Sequence, residues 1–436
     1  MSYGAERMTN PAFARSSLAI DNLRAIVILL VLAFHSVLAY LNFLPQQSFA
    51  FDSAPFLWRA FPIVDSQRWI GFDLFCAWLD VFLMSFFFLL SGLFVWTSLS
   101  RKDARAFLSD RVLRLGLPFA LVVTLLMPLA HYPTYVQSAL ASGVDPGIAD
   151  YWRHWLALPL WPSGPVWFLW LLLLFDIAAV GLYQLTATRR DTVLRLSFYA
   201  RQRPAIFLGG LVLASAVAYI PLALAFGISD WFQQGPFSFQ LSRPLHYALY
   251  FLAGAVIGAC GIERGLLAPD GPLARRWKTW LVAAPLLLLL WMGLTAPVMA
   301  DPAGASLGLR LADNLSFVLA CFASCFMVLA VALRFGRVRS QVLASLKNHA
   351  YGMYLLHYLF VVWLQFALLG VELPALVKAA IVFGATLLLS WSASAALERA
   401  PALAPLIGAG RRAIMPAAAF PPRTGAHPIA GARPLL

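Results

Sequence analysis

The chain has 436 residues, of which 61% are hydrophobic and 12% charged, where a soluble domain typically carries ~25% charged residues. That balance excludes an ordinary soluble fold, because one core cannot hide so much apolar surface while a bilayer accepts it on the outside of the protein. The net charge of +13, from 32 Lys and Arg against 19 Asp and Glu, lies in short loops between apolar runs, which argues against a nucleic-acid partner and for a membrane-topology signal.

Residues 1–17 are polar and read as a cytoplasmic N-terminal segment. The apolar run that follows is too long for a signal-peptide core and is taken as the first span. Spans need ~20 mostly apolar residues, and ten such stretches follow in order, at about 18–41, 72–98, 113–131, 166–186, 204–226, 244–261, 279–298, 311–334, 350–370 and 374–397. The expectation is an all-α transmembrane helix bundle of about ten spans, with a transmembrane domain over 18–401. The second stretch is long enough to begin as a tilted or interfacial piece. The sixth is short and carries Gly254, Gly258 and Gly261, which suits close helix packing. A tight turn, Gly370–Pro374, separates the last two. The tail 402–436, rich in Ala, Pro, Gly and Arg, reads as disordered.

Twenty-five Lys and Arg residues fall on one side of this alternation and five (Arg59, Arg68, Arg153, Arg243 and Arg310) on the other. The basic side faces the cytoplasm by the positive-inside bias, which puts both termini there. The opposite loops at 42–71 and 132–165 are long and aromatic. Trp152, Trp155 and Trp161 in the second loop can stack on sugar rings or form an interface belt. Cys76, Cys260, Cys321 and Cys325 all lie in apolar stretches and read as small buried residues rather than a disulfide framework or metal site.

Ionisable groups inside spans are costly and are functional candidates by default. In the first span Arg24 and His35 are eleven residues apart, so they project from nearly one helix face, ~16 Å apart along the axis. Arg24 has a second reading as a side chain snorkelling to the interface or paired with Asp21. His35 is deeper, and its near-neutral pKa suits a general base. Arg111 and Arg114, at i and i+3, adjoin on one helix face at the mouth of span three and could grip a phosphate; ordinary charge anchoring is the plainer alternative. Asp80 in span two either orients His35, binds a sugar or is a hydrogen-bonded buried acid. His357 is either a second site residue or a packing histidine, while His246 and His349 read as interfacial.

Together these stretches resemble acyltransferase family 3, a family of integral-membrane acyltransferases. The matching pieces are Asp21-Asn22-Leu23-Arg24 with His35, the aromatic run into Ser91-Gly92, Arg111 with Arg114 before Leu117-Pro118, and Trp167-Phe168-Leu169. Ala350-Tyr351-Gly352-Met353-Tyr354-Leu355-Leu356-His357 and the closing Glu398-Arg399-Ala400-Pro401 complete the series. The resemblance implies an O-acyltransferase of the bacterial inner membrane that takes succinyl or acetyl from cytoplasmic acyl-CoA to a carbohydrate hydroxyl on the far side. Within the family the chain looks most like a subgroup that succinylates periplasmic glucans. It further implies His35 as general base, with Asp80 and His357 as candidate catalytic partners. Arg111 and Arg114, supported by Arg101, Lys102 and Arg105, would attract the CoA phosphates, and the pantetheine arm would thread inward past Arg24, the further donor-binding residue. CoA enters as a substrate, and no permanently bound cofactor or metal is expected. No Gly-x-Ser-x-Gly element supports a serine acyl-enzyme. The alternative from another class is a transporter or flippase for a glycan or lipid-linked precursor, which would share ten spans and buried ionisable groups.

Overall fold

A computed structural model describes residues 11–185, 190–259, 261 and 265–400. The tail at 402–436, Cys260 and residues 1–10 therefore lie outside the described residues. The chain opens on α1 (Pro11–Val37), whose last turn tightens at Leu38–Tyr40, and a long loop leads to α2 (Ile70–Gly92) and α3 (Val95–Leu99). The helical run from Ala104 to Ala141 comprises α4 (Ala104–Arg111), α5 (Leu117–Leu121) and α6 (Met127–Ala141), joined by π-helical turns at Val112–Gly116 and Val122–Leu126. Next come α7 (Ile148–Ala157), α8 (Trp167–Leu185), α9 (Arg190–Gln202) and α10 (Pro204–Phe226). A two-stranded antiparallel hairpin, β1 (Trp231–Gln234) and β2 (Phe237–Gln240), precedes α11 (Pro244–Ala259). The series closes with α12 (Pro272–Arg275), α13 (Trp277–Ala300), α14 (Leu307–Phe335), α15 (Gln341–Ala367) and α16 (Ala375–Arg399).

Among the described residues nine helices are long and apolar enough to cross a bilayer, and they coincide in order with nine of the ten stretches read from hydropathy. The sixth stretch is the shorter α11, of 16 residues. The largest departure in length is the third span. It was expected over 113–131 and is one helical run over Ala104–Ala141. Hydropathy senses the lipid-embedded part of a helix, whereas helix continuation into polar residues depends on backbone hydrogen bonding, which apolarity does not report. The aromatic loop at 132–165 is correspondingly part helix: its first ten residues finish α6, and α7 buries Tyr151 and Trp155 against the bundle.

Burial orders the helices from inside to outside. In α1 and α14 61% and 67% of the span is buried, against 17%, 11% and 22% in α10, α13 and α16, which leaves the latter three on the outer surface. A transmembrane bundle gains nothing by hiding Leu from lipid, so small residues that let backbones approach decide which helices pair. The short α11 shows this directly. A Cβ at Gly254 would meet the carbonyl oxygen of Leu89, one at Gly258 that of Leu93, and one at Gly92 that of Phe251. The α2–α11 crossing thus depends on glycine from both sides. Gly254→Ala is expected to lower stability by about 1–3 kcal/mol, since the obstacle is rigid backbone; an unshifted melting temperature in detergent would refute the close crossing.

Candidate active site

The site is built around α1 and α15, which pack along each other. Gln365 on α15 donates to the carbonyl oxygens of His35 (2.9 Å) and Ser36 (3.2 Å). These are orphan acceptors of the last turn of α1, which a side chain from a neighbouring helix can satisfy. That contact fixes the height of His35 against α15. Its ring lies among Phe34 (centroids 5.2 Å), His357 (5.0 Å) and Tyr358 (5.6 Å), so it is turned into the bundle while staying partly exposed.

The hydrogen bonds assign the tautomers. His35 Nδ1 lies 2.9 Å from the Val31 carbonyl oxygen and His357 Nδ1 lies 2.7 Å from that of Tyr354. A carbonyl can only accept, so in the neutral rings each Nδ1 carries the proton and each Nε2 holds a lone pair. His357 Nε2 then faces His35 Nδ1 at 3.4 Å and shares its proton. His35 Nε2 is left as the basic nitrogen. His357 is fully buried.

Above this pair sits a roof made from the loops between spans. Tyr358 donates to the carbonyl oxygen of Arg59 (3.4 Å), and Tyr354 to that of Pro165 (2.6 Å). Arg59 Nη1 reaches Gln233 of the hairpin at 2.8 Å, and the Trp161 amide reaches the Gly235 carbonyl at its turn. Burial works against the Arg59 charge and lowers its pKa. The roof is pinned from α16 by a fully buried ion pair, Lys378 Nζ to Asp65 Oδ2 at 2.7 Å. His131 on α6 lies beyond Tyr358 (5.7 Å), edge-on to Trp58 and stacked on Trp155 (6.0 Å). Of the three tryptophans read from the loop, Trp155 is therefore a buried wall, while Trp152 and Trp161 are exposed.

At the opposite end of α1, Asp21 pairs with Lys347 (3.1 Å), and the Arg24 guanidinium lies over the Phe94 ring at 4.5 Å. Asn22 donates to the carbonyls of Gly336 and Val338, both at 2.8 Å, and so holds the α14–α15 connection to α1. Arg24 and His35 lie on one unbroken helix, as their spacing implied, but Arg24 leans on the α2–α3 turn while His35 faces α15. Arg111 and Arg114 diverge from the shared face expected of them. Arg111 Nε is 3.3 Å from Asp176 on α8, and its guanidinium covers Phe107. Arg114 is half exposed, 3.9 Å from Asp110, and its carbonyl accepts from Tyr351 on α15. The π-helical turn that starts at Val112 separates the two, because its wider winding rotates successive side chains away from the i, i+3 alignment of an α-helix. Arg101 and Arg105 are exposed, and Lys102 pairs with Asp110 at 2.7 Å.

Asp80 does not orient His35. Arg243, just before α11, takes both its carboxylate oxygens at 3.1 and 2.6 Å, in the forked geometry typical of Arg and carboxylate. His246 is fully buried inside the protein, with Nε2 3.4 Å from Cys321 Sγ. Aromatic neighbours Tyr219, Tyr250 and Phe317 enclose it. Cys76, Cys321 and Cys325 are buried free thiols, as expected. His349 meets Glu398 at 3.5 Å, which joins two of the sequence motifs across α15 and α16. Sequence reading missed Asp176, Tyr358, His131 and the Lys378–Asp65 pair. The signal for Asp176 was present as a lone acid in the apolar run Trp167–Leu185.

A family profile described as an acyltransferase domain matches residues 17–395. Among curated proteins the chain is similar to the glucans biosynthesis protein C of Salmonella paratyphi B, Salmonella schwarzengrund and Salmonella agona. Each is 26% identical over 249 residues, covering 54% of this chain and 57% of the relative. The chain thus spans little more than half the length of these relatives. No solved structure matches it.

Proposed function

This chain belongs to acyltransferase family 3 and is a multi-pass membrane acyltransferase, and from that premise we propose that it carries succinyl or acetyl from acyl-CoA at the cytoplasmic face of a bacterial inner membrane to a carbohydrate hydroxyl, a periplasmic glucan, at the other. The family membership favours an enzyme over the transporter that shares its general architecture. The observation that carries the detailed reading is the histidine pair: His35 inside a span, with Nδ1 committed to Val31 and His357 and its Nε2 basic.

The steps follow from that assignment. The acceptor oxygen attacks the thioester carbonyl, and its proton passes to His35 Nε2. The C–S bond then breaks, and the proton moves from His35 to the departing CoA thiolate. The ring is an imidazolium in between, and the lone pair of His357 Nε2, facing the Nδ1 proton at 3.4 Å, steadies that charge. General-base assistance of this kind contributes roughly 10²–10⁴-fold. Arg24 and His35 are ~16 Å apart along α1, and an extended pantetheine arm is on the order of 15–20 Å. The nucleotide can therefore stay at the basic mouth, near Arg111, Arg114, Arg101, Lys102 and Arg105, while the thioester reaches the histidine. Asp80 has no part in this scheme beyond its clasp with Arg243.

The test is purified protein in vesicles given acyl-CoA and a glucan, with release of CoA and mass gain of the glucan as readouts. Arg111→Ala and Arg114→Ala are each expected to raise the acyl-CoA KM about tenfold, the loss of one charge-assisted phosphate contact, with a smaller change in kcat. A wild type that transfers nothing from acyl-CoA defeats the reading, and unchanged KM in both variants defeats the phosphate role.

A further inference from the structure

Asp176 sits in the apolar run of α8, and its side chain is 1% exposed. Neither carboxylate oxygen accepts a hydrogen bond among the described residues. Its counter-charge is Arg111, whose Nε lies 3.3 Å away while 25% of the Arg111 side chain remains exposed. Burying a carboxylate without hydrogen bonds is expensive, and a poorly satisfied buried ion pair is a weak source of stability. The pair therefore asks for a reason other than holding α4 to α8. The backbone supplies a second observation. The π-helical turn Val112–Gly116 begins at the residue after Arg111 and packs on α8, where Gly116 faces Leu173. Such turns are frequent at functional sites. Here it splits Arg111 from Arg114 and delivers Arg111 to Asp176.

With Nε 3.3 Å from the Asp176 carboxylate and the guanidinium carbon over the Phe107 ring at 4.8 Å, charge attraction and ring contact restrain the side chain on two sides. The terminal Nη pair is then the part of the fork left to meet a ligand from the exposed side. An arginine immobilised in this way loses little rotamer freedom when it takes a phosphate bidentately. We infer that Asp176 is the positioning residue of the donor-phosphate site: it orients Arg111 so that the Nη pair is preorganised for a phosphate or pyrophosphate group of the nucleotide carried by the acyl donor. This rests on the acyl-CoA reading above and deepens it by assigning the group that sets the geometry of the phosphate contact.

The experiment compares full-length wild type, D176N and D176E in vesicles with two donors: acyl-CoA, and the same acyl group on pantetheine, which has the thioester arm but no phosphates. D176N is expected to raise the KM for acyl-CoA about tenfold with kcat within about twofold, while the acyl-pantetheine kinetics match those of wild type. D176E, which keeps the charge but displaces it by one methylene, is expected to fall between the two, and it reads the same comparison if D176N does not accumulate. Equal losses with both donors would make Asp176 a merely structural residue and overturn the inference, as would an unchanged acyl-CoA KM in the variants. A wild type that uses acyl-pantetheine but gains nothing from the nucleotide overturns the donor reading itself, and that outcome is separate from any effect of Asp176.

Discussion

His35→Ala is expected to abolish acyl transfer while leaving folded protein in the membrane. The ring makes one hydrogen bond to its own helix and one to His357. It is not a structural cross-link on the scale of Gln365, which holds α1 to α15 through backbone carbonyls independent of the side chain at position 35. Removing a general base costs roughly 10²–10⁴-fold in rate, whereas the lost packing is that of one partly exposed ring. His35→Gln sharpens the result, since glutamine can mimic a donor but has no nitrogen of suitable basicity to take the proton. Both variants should bind acyl-CoA with near wild-type affinity, because the proposed phosphate contacts lie toward the far end of α1. Transfer above a tenth of the wild-type rate in either variant would remove His35 from the chemistry.

Lys378→Ala should produce the largest loss of stability of any single change considered. Lys378 and Asp65 are 1% and 0% exposed and 2.7 Å apart. Asp65 also accepts from the Gln67 amide at 2.8 Å, and its own amide donates to Ala39. Deleting the lysine strands a buried carboxylate, a change that costs about 3–5 kcal/mol in comparable pairs. Replacing both partners by uncharged residues of similar volume is often close to neutral, so Asp65→Asn with Lys378→Met should recover most of the loss. Thermal unfolding in detergent reads both variants. A single mutant within about 1 kcal/mol of wild type would mean that Asp65 finds solvent or another cation when the lysine is gone. Because Asp65 follows Trp58 and Arg59 in the loop over Tyr358, the single mutant should also slow transfer in the fraction that remains folded.

These two residues differ in how visible they were beforehand. His35 was legible because a lone imidazole in an apolar run is costly, and its distance from Arg24 could be converted to a helix face and a length. Lys378 also falls inside an apolar stretch, the tenth, yet nothing local names its partner, which lies 313 residues away in a loop. Asp80 shows the opposite failure. As an acid on the span after His35 it invited a catalytic pairing, but it is exposed, and Arg243, 163 residues on, takes both its oxygens. Arg111 and Arg114 were correctly placed on one helical run, but their common face assumed uninterrupted α-helix. One π-helical turn was enough to send them to different neighbours.

What the amino-acid sequence determined by itself was the class of the fold, the order of its spans and the tight sixth helix with its glycines. Hydropathy and helix-face geometry depend on residues close together in the chain, so they survive without any knowledge of packing. What only the tertiary structure decided was which helix stands against which. That choice set His357 beside His35, Asp176 beside Arg111 and Asp65 beside Lys378. The state of an ionisable group within a bilayer is governed by the charge or lone pair opposite it, and that neighbour arrives from a distant part of the chain.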